Sequence, residues 1–204
     1  MRHKTTQTVF EYFNRVRNGE PAPLRADINP VELKSALPDI FMLEMARNGA
    51  IHFRLAGTRV CTILGRELRG EDFNLLWCKT DRHKMKLATE AMLANQAPLV
   101  VRLRSIAEDE ADGSLEMLLL PLNSRPGKCD RVFGSLADIS PPAFRREQLR
   151  LLRADGLSFP QSPRIVGDWS DADSEAPLTV ATAQVSALRT KIMQLKVFEG
   201  GRRD

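Results

Sequence analysis

Between residues 40 and 139 the apolar period of the chain changes from two to about 3.6 and back to two, and few folds accept that order. Ile40-Phe41-Met42-Leu43-Glu44-Met45 is nearly continuous apolar, which predicts a strand buried on both faces. Ile51-His52-Phe53-Arg54-Leu55 alternates, as a strand with one wet face does. Asn48-Gly49 between them signals a hairpin. Short helices are predicted over 58–64 and 72–77, and a longer one over 81–95 with Met85, Ala88 and Met92 on one side. Gly57, just after the second strand, lets the chain turn sharply onto the first of these helices. Pro98 then opens three strands over 99–107, 115–122 and 131–139, joined by the acidic turn 108–113 and by a loop with Pro126-Gly127 inside. The expectation is an α+β fold: a five-stranded antiparallel sheet with helices on one face.

The flanks read differently. Val9, Phe10, Tyr12, Phe13 and Val16 form an apolar stripe at helical spacing that Asn18-Gly19 ends, and Pro21-Ala22-Pro23 is a stiff link. Asn29-Pro30-Val31-Glu32 is a helix start, with Asn29 as N-cap and Glu32 placed to close a capping box before Pro38 stops the element. Arg25 and Asp27, two apart in the preceding extended segment, either clamp that segment or form an exposed pair of little weight. Beyond Pro141-Pro142 a basic helix is predicted over 144–153, then a Pro-containing, acidic, flexible linker over 154–177. Ala181, Val185, Leu188, Ile192 and Leu195 recover a heptad-like stripe, too short for a zipper and suited to a docking helix. The organisation expected is an N-terminal helix (1–20), a core (21–140), a helix and linker (141–177) and a partly disordered tail with an amphipathic segment (178–204).

Composition excludes several classes. The chain is 43% hydrophobic and 27% charged, an ordinary globular balance over 204 residues. Its net charge of +4 is spread thinly, with 20 basic against 18 acidic residues in 1–140, so no nucleic-acid arm is present. The densest basic stretch, Lys79 to Lys86, reads as a solvated helix start. Three cysteines without a CxxC pattern argue against a secreted disulfide scaffold and for a reducing cytoplasm. No apolar run follows Met1–Thr8, so no signal peptide is expected, and no run approaches the ~20 residues of a membrane span.

Hairpin, helical middle and three-strand meander are the order of a PAS domain. Five pieces carry the resemblance further: Phe10-Glu11-Tyr12-Phe13, the stretch Pro23 to Pro30, the stretch Leu37 to Glu44, Phe53-Arg54-Leu55-Ala56-Gly57-Thr58-Arg59, and the stretch Leu64 to Gly70. In that order, over about residues 8–139, they resemble the PAS_5 family of small alphaproteobacterial proteins. Phe13 stands where that family more often looks like Trp. Asp138-Ile139-Ser140 resembles the Asp-Ile-Thr with which many PAS domains hand over to an output helix; here Pro141-Pro142 follows it.

No catalytic constellation is legible: no P-loop, GxSxG, HExxH or dinucleotide fingerprint. His3, placed in a fraying terminus, His52 on a polar strand face and His83 at a helix start all read as surface histidines. Cys61 reads as a small apolar residue and lacks the Asn-Cys-Arg context of flavin-binding PAS photosensors. Neither haem nor flavin is therefore expected, and no metal. The inward residues Phe53, Leu55, Leu64, Trp77, Met92, Val101, Leu103 and Met117 either line a ligand cavity or fill the core, and packing is the commoner use of such residues. Phe10, Tyr12 and Phe13 on the leading helix, and Val185, Leu188, Ile192 and Leu195 in the tail, are the interaction candidates. The leading helix would pack on its own sheet or against a second copy; the tail stripe would dock in a partner's groove or cover its own sheet. The function expected is that of a non-catalytic cytoplasmic regulator acting by protein–protein contact, with a signalling kinase one candidate partner and a homodimer another. The alternative is a sensor of an unidentified apolar small molecule.

Overall fold

His3 opens the first helix, α1 (Lys4–Val16), as its N-cap: its Nδ1 accepts from the Thr5 N–H at 3.1 Å. The terminus is thus tied down, whereas the sequence suggested fraying. Glu116, only 1% exposed, strengthens the hold by accepting from the Arg2 and His3 N–H groups at 2.7 and 3.1 Å. A carboxylate at this end of a helix also meets the positive pole of its dipole. The computed structural model that gives these contacts describes residues 1–106, 113–140 and 151–160.

Three short 3-10 turns follow α1, at Arg25–Asp27, Pro30–Leu33 and Leu37–Asp39. Asn29 caps the second through Val31 N–H, as its sequence indicates. Glu32 closes no capping box; it pairs with Arg15 of α1 at 2.6 Å. Asp27 accepts from Leu24 N–H at 3.1 Å and so closes its own turn. The clamp on this segment is Asn123, whose amide donates to Ala22 O at 2.9 Å and whose backbone N–H donates to Pro23 O at 2.9 Å.

The sheet follows: β1 (Ile40–Met45), β2 (Ile51–Ala56), β3 (Leu99–Ile106), β4 (Ser114–Arg125), β5 (Lys128–Asp138) and β6 (Leu151–Ser158). Their order is β2-β1-β5-β4-β3-β6, antiparallel throughout. Between β2 and β3 lie α2 (Thr58–Leu64), a 3-10 turn at Phe73–Leu76 and α3 (Lys79–Asn95). β4 and β5 are longer than their apolar runs suggest, because the turn between them is only Pro126-Gly127.

The sixth strand is the main difference from the expected five. Leu151 to Arg153, which the sequence assigned to a basic helix, pair with β3, and so do Ala154 to Ser158, which it assigned to a linker. The rest of that helix, and the linker and tail from 161 onward, lie outside the described residues. Tertiary partners decide the outcome. Cys78 N–H donates to Leu152 O at 2.9 Å, and Asp81 Oδ2 accepts from Ala154 N–H at 2.8 Å. Both sheet edges are covered in this way, since at the other edge Phe53 exchanges bonds with Glu71 and Gly70 at 3.0 and 2.8 Å.

Two apolar layers sandwich the sheet. The inner one joins Phe41, Leu43, Phe53, Val101, Leu103, Met117 and Leu119 to α2, α3 and the Phe73–Leu76 turn. The outer one seats Val9, Phe10, Tyr12 and Phe13 of α1 on Ile40, Met42, Val100, Leu118, Leu120, Leu122 and Phe133. Helices therefore cover one face as expected, and the N-terminal helix takes the other. Because β4 lies between both layers, Leu115 to Leu122 are buried without alternation.

Candidate functional site

The space between sheet and helices is where the candidate pocket residues meet. Phe53, Leu64, Trp77, Met92, Val101, Leu103 and Met117 all belong to the inner layer and are at most 3% exposed. Leu55 does not join them. The ladder between β1 and β2 slips between Met42 and Leu43, so that Leu55 lies opposite Met42 while Phe53 lies opposite Leu43. One extra residue reverses the parity of the strand. Leu55 consequently sits 42% exposed.

Phe41 and Phe73, not singled out in the sequence, complete a run of rings. Phe41–Phe53, Phe53–Phe73 and Phe73–Trp77 have centroids 5.7, 5.9 and 5.6 Å apart, tilted or edge-on. Asp72 caps the turn that carries Phe73 by accepting from Asn74 N–H at 2.8 Å, where the sequence predicts a short helix over 72–77. At the end of the run, Trp77 is fully buried and its Nε1 has no hydrogen-bond partner among the described residues. An orphaned buried donor costs about 1–3 kcal/mol, so this indole N–H stands out in an otherwise apolar layer.

Close by, Asn48–Ile51, Asp72–Asn74, Lys86 and Thr89 line a half-open cleft of about 170 Å³. That is below the ~300 Å³ at which drug-sized ligands are usually held. Its polar groups are partly engaged already, with Asn48 Oδ1 accepting from Ala50 N–H at 3.1 Å and Thr89 Oγ1 donating to Met85 O at 2.8 Å.

The interaction candidates of α1 are inside the fold. Phe13 is 0%, Tyr12 4% and Phe10 8% exposed, and Asn29 N–H donates to the Tyr12 hydroxyl at 2.6 Å. This arrangement is the intrachain dock. Val185, Leu188, Ile192 and Leu195 lie outside the described residues. Of the histidines, His52 is half-buried, with Nδ1 unpartnered among the described residues, and His83 is exposed. Among the described residues no three His, Cys, Asp or Glu side chains group as metal ligands, and no helix is long and apolar enough to cross a membrane.

Two of the thiols are set by their surroundings. Burial, with the Asp130 charge beside it, pushes the Cys129 thiol up to about 11. Burial also raises Cys61, and Glu67 adds to it, against a lowering hydrogen bond from Leu68 N–H. Thiolate is the reactive form, so both are poor nucleophiles at neutral pH. Iodoacetamide at pH 8 should label Cys129 at least about a hundredfold more slowly than free cysteine. Peptide mass spectrometry over a time course checks this, and rapid labelling of Cys129 in the folded protein would refute it.

Residues 1–137 match the PAS_5 family model, a PAS domain. No curated protein matches the chain. Among solved structures it is similar to a LOV protein of Rhodobacter sphaeroides, at 16% identity and TM-score 0.43, over 67% of this chain and 70% of that one. It is similar also to the PAS domain of a Colwellia psychrerythraea protein, at 16% identity and TM-score 0.41, over 54% of this chain and 98% of that one. PAS domains generally sense or signal and are typically non-catalytic. With the hairpin, helical middle and meander all in place, this chain belongs to the PAS_5 family of PAS-domain proteins.

Proposed function

We propose that this PAS domain is a cytoplasmic, non-catalytic regulator that acts through protein–protein contact, with its output carried by the chain that follows the core. The supporting observation is β6. It begins at Leu151, past the family match that ends at 137, yet Leu152 and Ala154 are part of the inner layer. Its backbone is held by Cys78 and Asp81, next to Trp77 and at the start of α3. A shift of the inner layer would therefore move the strand from which the C-terminal residues continue. The partner would be a regulatory protein, a signalling kinase being one candidate, and the stripe Val185, Leu188, Ile192 and Leu195 would supply its anchors.

Leu188→Asp tests this reading. A charge in the docking stripe should abolish capture of the partner from the protein's own cells while the melting temperature holds. Unchanged capture would remove the stripe from the mechanism. A drop in stability of about 1–3 kcal/mol would instead show Leu188 buried within the protein itself.

One observation favours the second reading, that of a small-molecule sensor. The Trp77 N–H, without a partner among the described residues, would suit a ligand that is mostly apolar and carries one hydrogen-bond acceptor.

A further inference from the structure

We propose that the half-open cleft between the β1–β2 hairpin, the Phe73–Leu76 turn and α3 binds a small α-amino acid, with Asp72 holding its ammonium group and Lys86 its carboxylate. The backbone fixes two sides of this cleft. Ala46 N–H donates to Ala50 O at 2.7 Å and closes the hairpin, and a bridge between His52 and Asp72 sets the turn against β2. Ile51 and Phe73 supply the apolar part of the lining.

Opposite charges line the cleft without neutralising each other. Asp72 Oδ1 accepts from Asn74 N–H at 2.8 Å, and Asp72 makes no ion pair with a described residue. Lys86 has Glu90 at 4.0 Å, beyond hydrogen-bond reach, and both side chains are exposed, so that pair restrains the ammonium only weakly. The uncharged lining offers the same two kinds of partner. Thr89 Oγ1 donates its proton to Met85 O and keeps its lone pairs for a donor. Asn74 Oδ1 is buried and has no donor among the described residues. Asn48 Oδ1 accepts from Ala50 N–H, which leaves the amide N–H groups of that side chain free to donate.

These groups define the ligand. A carboxylate alone would meet the Asp72 charge, and an amine alone would meet that of Lys86. A molecule that carries both signs side by side finds an opposite charge for each. The volume of about 170 Å³ is that of about six waters, room for an amino acid with a small side chain. A divalent cation fits less well, because Asp72 is the one carboxylate among the described lining residues. Phe73 is also the third ring of the run that ends at Trp77, so an occupant would touch the inner layer to which β6 contributes.

The probes are glycine, L-alanine, L-serine and L-valine, each titrated at neutral pH into the isotope-labelled full chain and followed by amide NMR. Saturable shifts of the Asn48 and Asn74 side-chain amides are expected with at least one of them. Asp72→Asn keeps a cap for Asn74 N–H and removes the negative charge. Lys86→Gln removes the positive charge from an exposed position. Each substitution should weaken binding at least about tenfold, with the melting temperature of the unliganded chain unchanged. The acid and the amine of the same carbon skeleton should each bind at least about tenfold more weakly than the amino acid. No shift with any of the four probes overturns the proposal. So does binding that survives in both variants, or equal binding of the acid that lacks the amine. No partner protein enters the assay, so its outcome is independent of the output reading above.

Discussion

Replacing Gly57 with alanine should destabilise the protein by about 3–5 kcal/mol, or prevent its accumulation as a folded chain. A methyl group there would overlap the carbonyl oxygens of Leu37 and Pro38 and stand 2.6 Å from the Pro38 carbonyl carbon. These are backbone atoms, which cannot swing aside as the end of a side chain can. The surroundings are fixed as well: Gly57 N–H donates to Ile40 O at 2.7 Å, and Gly57 O accepts from Cys61 N–H at 3.1 Å. Next to it Arg59 reaches back to the buried Asp39 at 2.6 Å, fastening α2 to the turn that precedes β1. Any shift that relieved the methyl group would strain these bonds. Urea melts of the variant and the native protein measure the difference, and a loss below about 1 kcal/mol would show that the turn can yield.

Phe13→Ala should cost about 3–5 kcal/mol, the usual range for emptying a buried phenylalanine site. Phe13 is fully buried between α1 and the outer sheet face, with the Arg17 guanidinium 5.7 Å from its ring centroid. The layer around it includes side chains from β1, β3, β4 and β5 as well as Ile28, Leu33 and Ala36, so the cavity has little freedom to collapse. In a chain of this size a loss of that order lowers the melting temperature by about 6–20 °C. Removing residues 1–20 should do more, because it uncovers Leu118, Leu120, Leu122 and Phe133 together. Light scattering on the same samples separates stability from assembly. A truncated chain that melts like the native one but changes from dimer to monomer would place α1 in an interface instead.

What the sequence made legible followed from period and punctuation. The continuous apolar run of β1 and the Asn48-Gly49 turn were readable because local chemistry alone specifies them. Most of the inner apolar layer was readable for the same reason, since strict alternation puts Val101 and Leu103 on one face. Leu55 was not. Its parity depends on a slip of register beside Met42, and nothing in Ile51 to Ala56 announces where a strand will bulge. Nor was β6. Its partners are β3, some fifty residues earlier, and Cys78 and Asp81, some seventy residues earlier, and no local signal in Leu151 to Ser158 encodes them. The long apolar run of β4 was legible as a strand, and its two-sided burial became clear only with α1 laid across the outer face.

Native mass spectrometry of the purified full chain tests most directly the proposal that this domain works by its contacts, with its inner layer filled by its own side chains. The expected spectrum shows the 22.9 kDa chain, or a whole multiple of it, at the same mass per chain under native and denaturing conditions. A small-molecule adduct present in the native spectrum, lost on denaturation, and absent from a Trp77→Phe variant would contradict it and establish the sensor reading instead.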